Sequence, residues 1–206
     1  MIELSEEQII HRLRSAVNAQ PVADEPEYSA LFSTEPLPAA VLIPLLRHEG
    51  EWHLLLTRRN NDLAEHSGQV AFPGGRADPE DSDPEITALR EADEEIGLAP
   101  GDVRILGRMR QFRTITNYCV TPVVGVIPWP YPLRLANEEV SRAFIIPLNW
   151  LADPANREIE QRELPPYGTV SVIFFHPYDG EVLWGASARF TMSLLEVLTC
   201  NGGSVS

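Results

Sequence analysis

Residues 68–98 read GQVAFPGGRADPEDSDPEITALREADEEIGL, and the order of features within them decides the fold. A short apolar run, Val70 to Phe72, ends in Pro73-Gly74-Gly75. The glycine pair allows backbone conformations that other residues resist, and it lets a carbonyl or a ligand come close. After a polar loop, Asp83 offers an N-cap, Pro84 suits the first helical position and Gly97 suits the stop, so the spacing predicts a helix from Pro84 to Ile96. On a wheel of about 100° per residue, Ile86, Ala88, Leu89, Ala92 and Ile96 fall on one side. Glu91, Glu94 and Glu95 gather on the other, facing outward. The apolar side is suited to docking on a sheet. The carboxylates repel one another unless something positive joins them, and Glu91 and Glu95, one turn apart, are within reach of one ion. Mg²⁺, with Mn²⁺ as the alternative, is the hard cation that takes carboxylate oxygens and keeps positions for water and phosphate oxygens. Taken alone, EADEE is more often a solvated face with Arg90 paired to Glu94 one turn on. The strand and glycine turn before it shift that balance.

Outward from this segment, Ser5 to Ala19 reads as a helix, with Ser5 and Gln8 as a capping box and Ile9, Ile10, Leu13 and Val17 as its apolar stripe. A polar connection runs to Pro38. Ala39 to Leu46 is a nearly continuous apolar run and so a buried strand, and Trp52 to Thr57 is a second. Val103 to Phe112 and Cys119 to Ile127 are expected strands, with a shorter one at Phe144 to Ile146. Ile159 to Leu164 and Thr169 to His176 form a hairpin across Pro165-Pro166-Tyr167-Gly168. Gly185 to Thr199 closes the chain as a helix with Phe190, Leu194, Val197 and Leu198 inward. Mixed strands and few helices give an α+β fold, an α/β/α sandwich. The chain is expected to be one domain over 1–206, with 1–38 an N-terminal helix and connection and 39–199 the core.

The chain has 206 residues, a formal net charge of -14 and a hydrophobic fraction of 44%. That length suits a real core, and the acidity disfavours binding to nucleic acid. No apolar run approaches the roughly 20 residues that span a bilayer. Cys119 and Cys200 sit in no zinc pattern. Two isolated thiols, with no leader-like start, lead to the expectation of a cytoplasmic protein, monomer or homodimer, acting on a small molecule.

The second half of the acidic helix carries a likeness to a known family. Arg90-Glu91-Ala92-Asp93-Glu94-Glu95-Ile96-Gly97-Leu98, preceded by Gly75, resembles the Nudix hydrolase box, and every fixed position of that half is filled. The first half departs: the spacer is one residue longer, and Ser82 stands where the first box Glu is usual. Asp81 or Asp83 takes that role, or the role is absent. Upstream, Leu55-Leu56-Thr57, Arg59, Gly68 and Phe72-Pro73-Gly74-Gly75 are similar to the coenzyme A diphosphatase branch, as are Val120 to Pro128 and Leu183-Trp184-Gly185-Ala186. Asn60 and Ala64 differ from that branch, where Ser or Ala and Arg are usual.

The resemblance implies a Nudix-type sandwich with a mixed sheet, a catalytic loop-helix-loop and extra terminal helices. It implies metal ligation by Glu91 and Glu95, with Glu94 a third ligand or the base and Gly75 lending its carbonyl. Arg90 would orient the carboxylates, its plainer reading being a surface ion pair. Arg59, His66 and the Gly74 backbone would face the substrate. For Arg59 a solvated strand end is the other reading, and for His66 a hydrogen-bonded structural group. Glu138 and Glu139 lie where the family sometimes places another glutamate, although a helix-start charge is the simpler reading. Trp129, Tyr131 and Trp184 read as packing residues before adenine stackers. The implied reaction is Mg²⁺-dependent hydrolysis of coenzyme A, or an acyl form, to 3′,5′-ADP and 4′-phosphopantetheine. The same box also serves enzymes of ADP-ribose, dinucleotides or nucleotide sugars, and non-catalytic nucleotide-binding modules.

Overall fold

A computed structural model describes residues 2–18, 35–62, 67–165 and 168–199. The first helix, α1 (Glu6–Asn18), is followed by strands β1 (Leu37–His48) and β2 (Glu51–Arg59). Short strands β3 (Val70–Ala71) and β4 (Gly74–Arg76) lead into helix α2 (Pro84–Ile96). Then come β5 (Arg104–Arg108), β6 (Phe112–Arg113), β7 (Tyr118–Val126), β8 (Val140–Pro147) and the short helix α3 (Leu148–Ala152). A hairpin, β9 (Arg157–Glu163) and β10 (Thr169–Phe175), precedes the last helix, α4 (Gly185–Thr199).

Eight strands form one mixed sheet, with the path β3-β2-β1-β7-β5, β4 on β1, β6 on β7 and β8 on β2. β1 and β7 run parallel, Leu37 opposite Tyr118 through Leu45 opposite Val126, while β1 and β2 form an antiparallel hairpin. Side chains alternate across the sheet, as a strand requires. Ile43, Leu45, Leu54 and Leu56 join a core with Ile9 and Leu13 of α1, Leu148 and Leu151 of α3, and Leu194 and Leu198 of α4. Ala40, Leu42, Leu46 and Leu55 face the opposite way and pack on Ala88, Ala92 and Ile96 of α2. Helices therefore cover both faces, which is the expected α/β/α sandwich of the α+β class.

Several expectations need correction. Val17 and Ile86, assigned to apolar stripes, are 51% and 45% exposed, because each sits at the margin of its helix where the sheet no longer covers it. The span read as one strand, Val103 to Phe112, is divided into β5 and β6, with a register shift against β7 between Ile105 and Gly107. Gly107 has φ 156, and a Cβ there would lie 3.4 Å from Leu13. The strand at Phe144 to Ile146 extends over Val140–Pro147, where it pairs with β2 from His53 to Arg59. Helix α3 was not anticipated. Among the described residues no helix is long and apolar enough to cross a membrane.

Candidate active site

The acidic helix forms for local reasons. Asp83, with φ -163 and ψ 143, accepts a hydrogen bond from the Glu85 N–H; Pro84 sits in the first turn, and Gly97 ends the helix in the left-handed region at φ 65. Burial of Ala88, Ala92 and Ile96 against the sheet then fixes which way the carboxylates point.

They do not point alike. Glu95 is 4% exposed, while the Glu91 and Glu94 side chains are 16% and 60% exposed. The expectation that all three face outward together is corrected for Glu95. A segment distant in sequence is fastened to the end of the helix here: the Ala136 N–H donates to the Glu95 carbonyl at 2.8 Å, and the Arg134 N–H donates to the Ile96 carbonyl at 2.9 Å. Burial pushes the Glu95 carboxyl up to about 8, Arg59 opposes the shift, and the charges of Glu91 and Glu139 add to it. Burial likewise raises Glu91, with Arg90 opposing and Glu94 and Glu139 adding.

The glycine turn lies directly on this pair. The Gly74 backbone N–H is close enough to the Glu95 carboxylate to oppose its upward shift. A Cβ at Gly74 would meet the Ala40 carbonyl oxygen at 2.4 Å and Val41 Cα at 2.6 Å, so β4 approaches β1 this closely only as glycine. A Cβ at Gly75 would lie 2.6 Å from the Glu91 carboxyl atoms. At the end of β2, Arg59 Nη1 stands 3.8 Å from Glu95 Oε1, and the Arg59 Nε is buried without a hydrogen-bond partner. Arg59 is therefore no solvated strand end. His66 lies outside the described residues.

Arg90 binds helix to loop. Nη1 donates to Glu91 Oε1 at 2.9 Å and Glu94 Oε2 at 3.1 Å, and Nη2 donates to Asp81 Oδ2 at 3.0 Å and to the Arg76 carbonyl at 3.1 Å. Such a fork holds four groups at once, as a lysine could not. Asp81, kept below the ordinary carboxylate range chiefly by this bond, anchors the loop where the box glutamate is missing. Asp83 is the helix cap and pairs with Arg108, which also reaches Glu85 at 2.9 Å.

Glu139 was singled out as a helix-start charge, yet Val140–Pro147 is a strand. Asn60 holds its loop: the Asn60 N–H donates to the Glu139 carbonyl at 2.7 Å, and Nδ2 donates to the Asn137 carbonyl at 2.6 Å. Glu139 is thereby close enough for its charge to act on both Glu91 and Glu95. Trp129 and Tyr131 pack on the α2 side of the core, with the Tyr131 hydroxyl donating to Asp102 at 2.7 Å. Trp184 stacks on Phe174.

Among the described residues no group of three or more His, Cys, Asp and Glu side chains is arranged to hold a metal ion. Glu94, drawn to Arg90, stands apart from the buried pair. The donors nevertheless suit a hard cation: two crowded carboxylates, with one guanidinium at 3.8 Å and a third carboxylate nearby, leave negative charge that a divalent ion would offset.

Comparison with known proteins shows the family. A NUDIX domain model matches residues 36–168. The chain belongs to the Nudix family as a Nudix hydrolase, the group of enzymes that act on pyrophosphate bonds, generally with divalent metal ions. Two curated relatives carry the name "Uncharacterized Nudix hydrolase NudL", one from Yersinia pestis (strain Pestoides F) and one from Yersinia pseudotuberculosis (serotype O:1b). Each is 36% identical over 177 residues, covering 82% of this chain and 83% of its own. Among solved structures the chain is similar to a Nudix hydrolase from M. Smegmatis, RenU, at 21% identity and TM-score 0.48, over 58% of this chain and 76% of that one.

Proposed function

We propose that the chain hydrolyses the pyrophosphate bond of coenzyme A or its acyl derivatives, giving 3′,5′-ADP and 4′-phosphopantetheine or its acyl form. The observation that carries the reading is the meeting of three segments at one point: the Gly74-Gly75 turn, the Glu91–Glu95 pair and the Arg59 guanidinium. Of these, the Arg59 and Gly74-Gly75 segments resemble the coenzyme A diphosphatase branch, and the Glu91–Glu95 helix resembles the box shared by Nudix hydrolases in general.

Glu91 and Glu95 are the proposed ligands of Mg²⁺ or Mn²⁺, with the Gly75 carbonyl beside them. When bound, the ion neutralises charge on phosphate oxygens and lowers the pKa of a water molecule. Arg90 holds the Glu91 carboxylate and the loop in register, so the site is organised before substrate arrives. Arg59, with a buried Nε still to be satisfied, binds a phosphate oxygen of the substrate, and the Gly74 backbone lets that phosphate approach. His66 is a further proposed substrate-binding residue. Glu94 acts as a third ligand or as the base that accepts the water proton.

The test is incubation of the purified protein with Mg²⁺ and coenzyme A, with ADP-ribose and NADH in parallel, and chromatographic separation of the products. The reading expects 3′,5′-ADP and phosphopantetheine at a rate well above the other substrates, abolished by chelator. Cleavage of ADP-ribose or NADH with coenzyme A left intact would favour the other substrate class, which the departures at Asn60 and Ala64 already mark. No cleavage of any of them would favour the reading of a non-catalytic nucleotide-binding module.

A further inference from the structure

Strand β9 has one partner. It pairs with β10 from Arg157 opposite Phe175 to Glu163 opposite Thr169, and among the described residues no other strand pairs with it. Its exposed edge is not featureless. The Phe175 N–H donates to the Leu183 carbonyl at 2.8 Å, away from β9. In an antiparallel ladder the hydrogen-bonding groups alternate sides. Glu158, Glu160 and Arg162 therefore turn their backbone groups toward β10, while Ile159, Gln161 and Glu163 turn theirs to the open edge; the Arg157 N–H is taken by the Pro154 carbonyl. Ile159, mid-strand, is 64% exposed.

The open edge reads Arg157-Glu158-Ile159-Glu160-Gln161-Arg162-Glu163. Paired antiparallel with itself about Glu160, it sets Arg157 against Glu163 and Glu158 against Arg162, each pair occurring twice by symmetry. Ile159 meets Gln161, two residues whose outward backbone groups can bond each other. Centring the pairing on Ile159 would place Glu158 against Glu160. Centring it on Gln161 would oppose only Glu160 and Arg162. All three registers set outward backbone groups against outward ones, so charge selects the one centred on Glu160. Its one like-charge contact, Glu160 on the axis, is offset within each chain by Arg162, whose Nη2 lies 2.7 Å from Glu160 Oε2.

We propose that the β9 edge is a homodimer interface, in which β9 of one protomer pairs antiparallel with β9 of a second copy about a two-fold axis at Glu160, joining two hairpins into a four-stranded sheet. Isologous pairing is what a two-fold interface requires, and strand addition supplies backbone hydrogen bonds while opposite charges fix the register. The proposal is independent of the substrate.

Sedimentation velocity on the full chain, from about 1 to 200 µM, tests it. A concentration-dependent dimer is expected, weakened at least about tenfold between ~0.05 and ~0.5 M NaCl, because the ion pairs are exposed. Arg162→Glu should abolish the dimer, and Glu158→Arg combined with Arg162→Glu should restore it. Gln161→Pro removes an N–H from the open edge and none from the β10 ladder, so it should give a monomer with an unchanged circular dichroism spectrum. A monomer at every concentration overturns the proposal, as does a dimer indifferent to Arg162→Glu and Gln161→Pro, or a charge swap that fails to restore association. Should Gln161→Pro lose its fold, the charge-swap pair decides alone.

Discussion

The Arg59 guanidinium lies 3.8 Å from the Glu95 carboxylate, across the gap between the end of β2 and the last turn of α2. The two are an ion pair at long range, close enough to lower the Glu95 carboxyl yet outweighed by its burial. A guanidinium placed so, with Nε buried and unbonded, is stabilised further by an arriving phosphate oxygen. A charge-assisted hydrogen bond of about 1.5–3 kcal/mol is then at stake. Arg59→Ala should raise KM for coenzyme A on the order of 10- to 100-fold. Arg59→Lys should recover part of that loss. A KM equal to wild type, measured under saturating Mg²⁺, would remove Arg59 from the substrate side.

The buried state of Glu95 makes a prediction about stability as well as rate. Its folded pKa of about 8 stands above the ordinary 4.5, so between these values the folded chain holds a proton that the unfolded chain has released. Stability from this group is full below pH 4.5, declines as pH rises toward about 8, and is flat above. Glu95→Gln is free of that decline. In chelator, the variant should melt about 4 °C or more above wild type near pH ~8.5, with the difference vanishing near pH ~4.5. Its turnover should fall on the order of 100-fold or more. Thermal melts across pH, beside the product assay, check both halves. Equal melting temperatures at the higher pH would contradict the burial argument.

How far the sequence reached depended on whether the cause was local. Asp83, Pro84 and Gly97 bound helix α2 through their own backbone preferences, and the structure starts and stops that helix where they say. The apolar runs of β1 and β2, the hairpin of β9 with β10, and the stripe of α4 are equally local. Glu95 is different. A helical wheel gives its direction, but the groups that meet its carboxylate, Arg59 and the Gly74 backbone, come from segments distant in sequence. Glu139 was visible as a charge, yet only the Asn60 hydrogen bonds bring it to the carboxylates, and that pairing of distant segments leaves no periodic trace. For the same reason Ser82 read as a gap in the box, while Asp81, beside it, already bonds Arg90.

Acid should loosen the site from its loop side first. The carboxyls of Asp81 and Asp83 lie below their ordinary value of 3.8, held there chiefly by Arg90 and Arg108 respectively. The folded chain therefore binds fewer protons than the unfolded one in that range, and the stability these groups confer is present above pH 3.8 and lost as pH falls through their lower folded values. Asp83→Ala should cost about 1 kcal/mol at neutral pH through the lost cap, or about 2–4 °C in Tm. Near pH ~2.5 the gap to wild type should narrow. A gap constant with pH would mean that the Asp83 charge contributes nothing beyond its shape.

Two adjacent glycines separate folding from metal binding. At Gly74 the obstacle to a side chain is backbone, the Ala40 carbonyl oxygen at 2.4 Å and Val41 Cα at 2.6 Å, neither of which can move without parting β4 from β1. At Gly75 the obstacle is the Glu91 carboxylate at 2.6 Å, the free end of a side chain that can swing aside. Gly74→Ala should therefore lower Tm by several degrees, as overpacking costing about 1–3 kcal/mol does. Gly75→Ala should leave the metal-free Tm within about 2 °C of wild type, because only one carboxylate must rotate. That rotation takes Glu91 out of the proposed ligand pair. The Mg²⁺ concentration giving half-maximal activity should then rise on the order of 10- to 100-fold, with excess Mg²⁺ restoring part of the rate. An unchanged Mg²⁺ titration for Gly75→Ala would break the proposed link between the glycine turn and Glu91 while leaving the fold argument at Gly74 intact.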